Sequence, residues 1–578
     1  MLRADRTQPF GFIREFATRW DTLALIVVLA VVTFLAAASH GLFAPLSQLD
    51  ATPLSLAPSH LPEYAARTTL RMFAAMVLSF VFTLTYATWA AKSPRAGRVL
   101  VPLLDILQSV PILGFISITV VFFMALVPGR VLGAEFAAIF AIFTSQAWNM
   151  AFSFYQSLRT VPTELAEAAA SFHLTPWMRF WRLEVPFALP ALSWNMMMSM
   201  SGGWFFVVAS ESISVGDTHV ALPGIGSYIA LAIEQRNLHA IGWAILTMAL
   251  VILVYDQLLF RPLITWVDRF RVEQEPGAEP PSSWALTMLQ RSKLIKAVTV
   301  IFYAVVRWGS WALPVRPGPG SREEARRAQR GWVRDAWWLV LVAALGGLAA
   351  WKLGHALLSG TNLAEVRELA VLGLLTMLRV IVLIALASLL WVPIGVWIGL
   401  RPQVAQWVQP IAQFLAAFPA NLLFPLVVLA IVAWQLSPNL WLSPLMILGT
   451  QWYVLFNVIA GAAAMPAELR RAAQNLHVGG WLWWRRVALP GIMPYYVTGA
   501  ITASGGSWNA AIVAEVAKWG GTEVRARGLG AYIATATAAG DYHRIVLGIT
   551  TMCLFVVTIN RAFWRPLYYY AERHYRLN

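Results

Sequence analysis

A single cysteine, Cys553, stands among 578 residues, which excludes an internal disulfide and any thiolate metal cluster. Charge is scarce: 12% of the residues are Asp, Glu, Lys or Arg, and 59% belong to the apolar set. Soluble domains carry about 25% and 45–50% respectively, so a water-soluble globular protein is excluded. Disorder is excluded too, because aromatic residues make up 13% of the chain. No G-x-x-x-x-G-K-S/T phosphate loop occurs. Neither does an H-E-x-x-H zinc pair or a G-x-S-x-G nucleophile elbow. No catalytic or metal-ligating set is expected, and the chain reads as a transport subunit and not an enzyme.

What is present is apolar sequence in long stretches. A helix needs about 20 mostly apolar residues to cross a bilayer. Such stretches fall near 22–39, 71–91, 103–127, 134–157, 188–210 and 240–260, and again near 336–354, 379–400, 410–434, 440–462, 493–514 and 545–564. The first has a charged lead (Arg3, Arg6, Arg14, Arg19) too long for a signal peptide, so it is expected to stay as a span. These stretches form two groups of six, giving a first repeat over 1–270, a connection over 271–335 and a second repeat over 336–578. The net charge of +15 fits basic cytoplasmic loops. With the N-terminus inside, about three in four Lys and Arg fall on the inner side, and both termini are cytoplasmic. Within the connection, Lys293, Lys296, Arg307 and Ser310 fall on one stripe of 284–313, as in an amphipathic helix lying on the inner leaflet.

The two groups repeat each other. Pro102 and Pro111 recur as Pro410 and Pro419. After a small change of offset, Trp148, His173, Trp177, Arg182, Pro186, Pro190, Glu211 and Gly226 recur as Trp452, His477, Trp481, Arg486, Pro490, Pro494, Glu515 and Gly530. Six spans per copy is an even number, so the copies share one orientation and are related by a pseudo-twofold axis along the membrane normal. The expected fold is therefore an all-α integral membrane protein of two tandem six-helix bundles.

One cytoplasmic loop occurs in both copies, VPTELAEAAASFHLTPWMRFWRLEVPFALP at 161–190 and MPAELRRAAQNLHVGGWLWWRRVALPGIMP at 465–494. It shows aromatic groups to the cytoplasm, which argues for a partner or for tucking beneath the bundle. The pattern resembles the EAA loop of permease subunits of binding-protein-dependent ABC importers. The Glu followed by Gly224-Ile225-Gly226 and by Gly528-Leu529-Gly530 resembles the nitrate/taurine/bicarbonate branch. That resemblance implies a fused, duplicated permease whose loops seat in grooves of two cytoplasmic ATPase subunits. ATP and Mg would sit on those partners, with no cofactor on this chain, and an extracytoplasmic binding protein would deliver a small solute, an anion such as nitrate, bicarbonate or a sulfonate. The loop residues it implies are Glu164, Glu167, Ala168, Ala169, His173 and Trp177, and Glu468, Arg471, Ala472, Ala473, His477 and Trp481. The second copy departs from the pattern at Arg471, where the family has Glu. Both copies have His (His173, His477) where the family has Gly.

Polar and aromatic groups within spans are functional candidates: Trp148, Asn149, Trp204, Glu211, Gln451, Trp452, Asn457, Trp508, Asn509 and Glu515. Glu211 and Glu515 lie 21 residues beyond the second loop proline, about 32 Å along a continuous helix. At that height they either line an outer gate or hold the segment that follows them. Arg71 and Arg379, at helix starts, read as snorkelling side chains. A secondary transporter driven by ion coupling also has two six-helix halves, but gives no reason for two matched docking loops.

Overall fold

The computed structural model describes residues 19–39, 44–46, 54–109, 111–215, 218–270, 283–292 and 361–575, with short pieces between 340 and 355. Among them the chain is helical apart from two two-stranded antiparallel hairpins and one isolated bridge. An all-helical membrane fold follows from solvation, since hydrocarbon leaves each backbone N–H and C=O to be satisfied within its own segment. Five described helices are long and apolar enough to cross a bilayer: Pro58–Lys92, Val131–Arg159, Leu238–Phe270, Leu363–Gly399 and Tyr542–Tyr575. Two further pairs pass that test as bent units. Val185–Glu211 and Leu489–Ala514 are of similar length and contain Ser, Gly and Pro. The span expected near 336–354 lies outside the described residues except for short pieces, as does the stripe from Lys293 to Ser310.

Three expected spans are not straight. The stretch near 103–127 is two helices, Pro94–Ser109 and Ile112–Leu126, parted at Pro111. Its counterpart, Pro402–Ala417 and Ala420–Ala433, bends by 72° at Pro419. Proline disfavours helical geometry in the residue before it, so the break falls at the same place in both copies. The stretch near 440–462 bends by 45° between Pro438–Leu448 and Gln451–Ala463, whereas the first copy runs unbroken from Val131 to Arg159.

Beyond these bends the copies match element for element. Thr163–Ser171 recurs as Ala467–Asn475, Val185–Glu211 as Leu489–Ala514, Ser212–Ala221 as Val516–Arg525, Ile225–Glu234 as Leu529–Ala538 and Leu238–Tyr255 as Tyr542–Ile559. Four π-helical turns recur in pairs, Phe180–Glu184 with Trp484–Ala488 and Asp256–Phe260 with Asn560–Trp564. Each precedes a proline: Pro186, Pro490, Pro262 and Pro566. A proline ring collides with the carbonyl four residues back, and in all four cases that residue lies inside the widened turn, which moves the carbonyl aside.

The copies grip each other reciprocally. Ile112–Leu126 packs on Leu489–Ala514 and on Tyr542–Ile559, while Pro402–Ala417 packs on Val185–Glu211 and on Leu238–Tyr255. The Ile112 N–H donates to Asn509 Oδ1 at 2.5 Å. At the related place Asn421 Nδ2 donates to the Phe205 carbonyl at 3.3 Å. The hairpins cross over as well: strand Ser212–Val215 meets Leu529–Ala538, and strand Val516–Trp519 meets Ile225–Glu234, with the Gly520 N–H donating to the Ile233 carbonyl at 2.9 Å. Both hairpins thus share one end of the molecule, and the helices leading into them run the same way.

Close approach explains the recurring glycines. A Cβ on Gly226 would strike the Val208 carbonyl, and one on Gly530 the Ala511 carbonyl. Backbone cannot yield as a side chain can. Gly226→Ala and Gly530→Ala are therefore each expected to lose about 1–3 kcal/mol of stability. Gly242→Ala, where a Cβ meets nothing within 4 Å, should be neutral or stabilising by up to about 1 kcal/mol. Thermal unfolding of the detergent-solubilised variants measures the contrast.

Candidate coupling loops and intramembrane clusters

Each bent loop is a short helix followed by a turn and a π-helical segment. In the first, Glu164, Glu167 and Ala168 are exposed on Thr163–Ser171 while Ala169 is buried; Glu468, Arg471, Ala472 and Ala473 repeat that pattern on Ala467–Asn475. The alanine that each loop buries lets the helix lie close against the bundle. Large apolar groups face outward: Phe172 is 77% exposed and Trp177 39%, Leu476 76% and Trp481 73%. Around Ala472 and Ala473, Leu469, Leu476, Val478 and Leu482 line a shallow groove with Arg486 at its edge.

His173 and His477 close the two short helices in the left-handed region, at φ 50° and 52°. The next N–H in each, Leu174 and Val478, turns back to the buried alanine's carbonyl at 3.1 and 2.9 Å. Glycine takes this conformation without cost, which accounts for the Gly of the EAA pattern and leaves both histidines locally strained. The loops differ in anchorage. The buried Glu184 pairs with Lys92 at 2.7 Å and with Arg179 at 3.2 Å, and Lys92 also caps the Phe180 ring at 4.9 Å. In the second copy Ala488 and Trp483 replace Glu184 and Arg179. Arg471, Arg485 and Arg486 stay exposed and form no ion pair among the described residues.

At the hairpin end, both glutamates are turned into the bundle. Glu211 Oε1 accepts from Thr68 Oγ1 at 2.6 Å and from Arg71 Nη1 at 2.7 Å, and Glu211 Oε2 accepts the Gly226 N–H at 2.6 Å. Thr68 Oγ1 in turn accepts the Ile225 N–H at 3.0 Å. The carboxylate therefore fastens the helix of Arg71 to the glycine-containing segment after the hairpin. Gly224 and Gly528 must lack a side chain, since a Cβ there would run into the Glu211 and Glu515 carboxyl groups. Glu515 repeats the arrangement with Thr376 and Arg379 at 2.9 Å each and with the Ala531 N–H at 3.0 Å.

Arg71 does not snorkel. It is 2% exposed, because it also forks onto Glu135 through Nε at 2.6 Å and Nη2 at 2.7 Å. At the place of Glu135 the second copy has Asn439, which accepts from Arg379 Nη2 at 3.3 Å and from the Arg527 N–H at 2.7 Å. The sequence offered a signal for Glu135, an acid at the start of an apolar stretch, that the repeat alignment hid because its counterpart is an amide. On the second hairpin, burial raises the Glu523 carboxyl, but hydrogen bonds from Arg525 and Lys518 together with their charges outweigh it and leave it below the usual carboxylate range.

The remaining candidates make contacts within and between the bundles. Trp148 sits edge-on to Phe82 at 5.5 Å, Asn149 Nδ2 donates to Ser199 Oγ at 2.9 Å, and Asn457 Nδ2 donates to the Tyr453 carbonyl at 2.8 Å. Gln451 Oε1 accepts from Trp391 Nε1 at 2.9 Å, and the Trp452 ring lies 5.3 Å from that of Trp391 at a tilt of 40°. Asn509 joins the copies. Trp204 and Trp508 are fully buried, and neither indole N–H has a partner among the described residues. Sequence reading places Arg261 on the inner side, just beyond the span near 240–260, and passes over Asp256, although an acid within an apolar run is itself a signal; both lie on the helix Leu238–Phe270.

Arg71→Met strands two buried carboxylates and should cost about 3–5 kcal/mol. Arg379→Met, beside one carboxylate and with a 14% exposed side chain, should cost clearly less. His173→Gly and His477→Gly should each gain about 1 kcal/mol by removing left-handed strain. Equilibrium unfolding in detergent gives all four values.

A family model described as the inner membrane component of binding-protein-dependent transport systems matches the chain twice, over residues 80–268 and 391–574. Among curated relatives, the glycine betaine/carnitine transport permease protein GbuB of Listeria monocytogenes is 26% identical over 187 residues, 32% of this chain and 59% of that protein. The bicarbonate transport system permease protein CmpB of Synechococcus elongatus is 29% identical over 134 residues, 23% of this chain and 46% of that one. The nitrate import permease protein NrtB of Leptolyngbya laminosa is 26% identical over 182 residues, 32% and 62%. The chain thus spans about half the length of the curated relatives it matches.

Proposed function

Because the chain belongs to the family of inner membrane components of binding-protein-dependent transport systems, matched in both halves, we propose that it is the transmembrane permease of an ATP-driven importer, with two permease modules on one polypeptide. The observation that carries this reading is the pair of bent loops. Each leads into a helix ending at a hairpin, and the two hairpins share one end. The loops therefore leave the opposite end together, each showing exposed apolar side chains. That geometry suits two motor subunits that open and close beneath the bilayer.

In this reading the loop end is cytoplasmic, as is the basic excess, and the hairpin end faces a solute-binding protein. ATP and Mg bind the ATPase partners. Their closure pushes the loops together, and the two bundles rotate as rigid bodies between inward and outward access. The bends at Pro111 and Pro419 and the four π-helical turns are the places where helices already depart from straight geometry. The crossed hairpins, with Gly520 bonded to Ile233, hold the outer end shut. The resemblance favours an anion as solute, while the names of the relatives divide between anions and betaines.

Two substitutions test the coupling. Glu167→Lys reverses an exposed charge on the first loop, and Ala473→Glu forces a carboxylate into the packed face of the second, where Ala473 is 5% exposed. Both should reduce ATP-driven uptake at least tenfold while leaving the amount of membrane-inserted protein unchanged. Uptake at the level of the parent chain in both variants, or uptake abolished by an uncoupler and indifferent to ATP, would contradict the reading.

A further inference from the structure

The swapped packing leaves a cavity of about 80 Å³ between the copies, several times the roughly 10–15 Å³ that one water needs. It lies between Val185–Glu211 and the π-helical turn after Leu238–Tyr255 on one side and Pro402–Ala417 on the other. Its apolar wall includes Trp204, Phe260, Phe414 and Phe456, and its charged groups are Asp256 and Arg261. An acid and a base on a helix of this kind are candidates for a role, and here their side chains are 31% and 38% exposed. These two touch through one atom each, Arg261 Nε to Asp256 Oδ2 at 3.2 Å, with Gln257 adding a bond to that same oxygen at 3.3 Å. Asp256 Oδ1 and both terminal nitrogens of Arg261 have no partner among the described residues. Trp204 lines the same space, wholly buried, and neither its indole N–H nor the hydroxyl of Tyr255, whose ring lies 5.7 Å away, has a partner among the described residues. Buried donors without acceptors beside a cavity mark a missing partner.

Resting on the permease reading, we propose that this cavity is a solute site for a small organic zwitterion, with its anionic end on the free Arg261 nitrogens and the Trp204 N–H, and its cationic end on Asp256 Oδ1 and the ring faces. Aromatic faces attract an alkylammonium group. A bare inorganic anion meets the Asp256 carboxylate and an apolar wall that cannot replace its water, so nitrate or bicarbonate is poorly served. The second copy has Asn560 where the first has Asp256, so the acid is present in the first copy alone. It also indicates that the fold accepts the amide at that position.

The test uses the full chain in phosphatidylglycerol nanodiscs, with labelled glycine betaine and carnitine as probes. One or both should bind, Asp256→Asn and Arg261→Gln should each weaken binding tenfold or more, and Trp204→Phe, which keeps the ring and removes the N–H, should weaken it several-fold. Equal thermal midpoints establish that the variants are folded. Displacement of the probe by millimolar nitrate, no probe binding to the parent chain, or unaltered binding to Asp256→Asn each overturns the assignment. So does specific retention of phosphatidylethanolamine, a lipid zwitterion, in place of the free solutes. Probe binding without any ATP-driven uptake would instead count against the permease reading and leave the cavity's chemistry standing.

Discussion

Two arginines, Arg71 buried and Arg379 partly so, hold this molecule in register. Arg71 and Arg379 each take hold of the glutamate at the end of a long helix, and that glutamate in turn receives a backbone N–H from the segment beyond the hairpin. In a low-dielectric interior a charge persists only if it is paired and its remaining hydrogen-bonding capacity is filled. The pairing therefore dictates where the helices meet and how the chain turns after the hairpin. The glycines facing these carboxylates, and those pressed on the carbonyls of Val208 and Ala511, follow from that one requirement.

From the clamps the rest of the architecture follows by proximity. The hairpins start at Glu211 and Glu515 and reach across to the opposite copy, so the positions of the clamps decide how the copies face each other. At the far ends of the same two helices stand the bent loops. A continuous helix thus links each loop to a clamp and a crossed hairpin, and in the proposed mechanism a displacement of the loop would travel along it. The copies are alike in backbone and unlike in charge: Glu135 against Asn439, Asp256 against Asn560, and a Glu184 anchor against Ala488. Such differences make the two halves of one chain chemically unequal, as two identical subunits cannot be.

Much of this was legible in the sequence because it rests on periodicity and on residues with few conformational options. The apolar stretches, the constant spacing between repeats and the prolines announced the helices, their duplication and the breaks in the loops. The recurrence of prolines at 111 and 419 does not by itself place a break, since local rules do not say whether a proline kinks a span or parts it. The side chains inside the bundle were the harder part. Arg71 read as a snorkelling group because its partners, Glu135 and Glu211, lie 64 and 140 residues further along the chain, and no local pattern links them. Trp204 and Trp508 were open to a path, lipid or core position on sequence alone, and both are buried in the bundle. The histidines at 173 and 477 became intelligible only through a backbone angle.

The central claim is that the two modules are co-directional, with both bent loops on one side of the membrane. Single cysteines at Trp177 and at Trp481, each in a Cys553→Ala background, challenged in intact cells and in inverted vesicles with a membrane-impermeant thiol reagent, test it most directly. Both sites should react only from the cytoplasmic side. Labelling of one from each side would contradict the parallel arrangement and the coupling built on it.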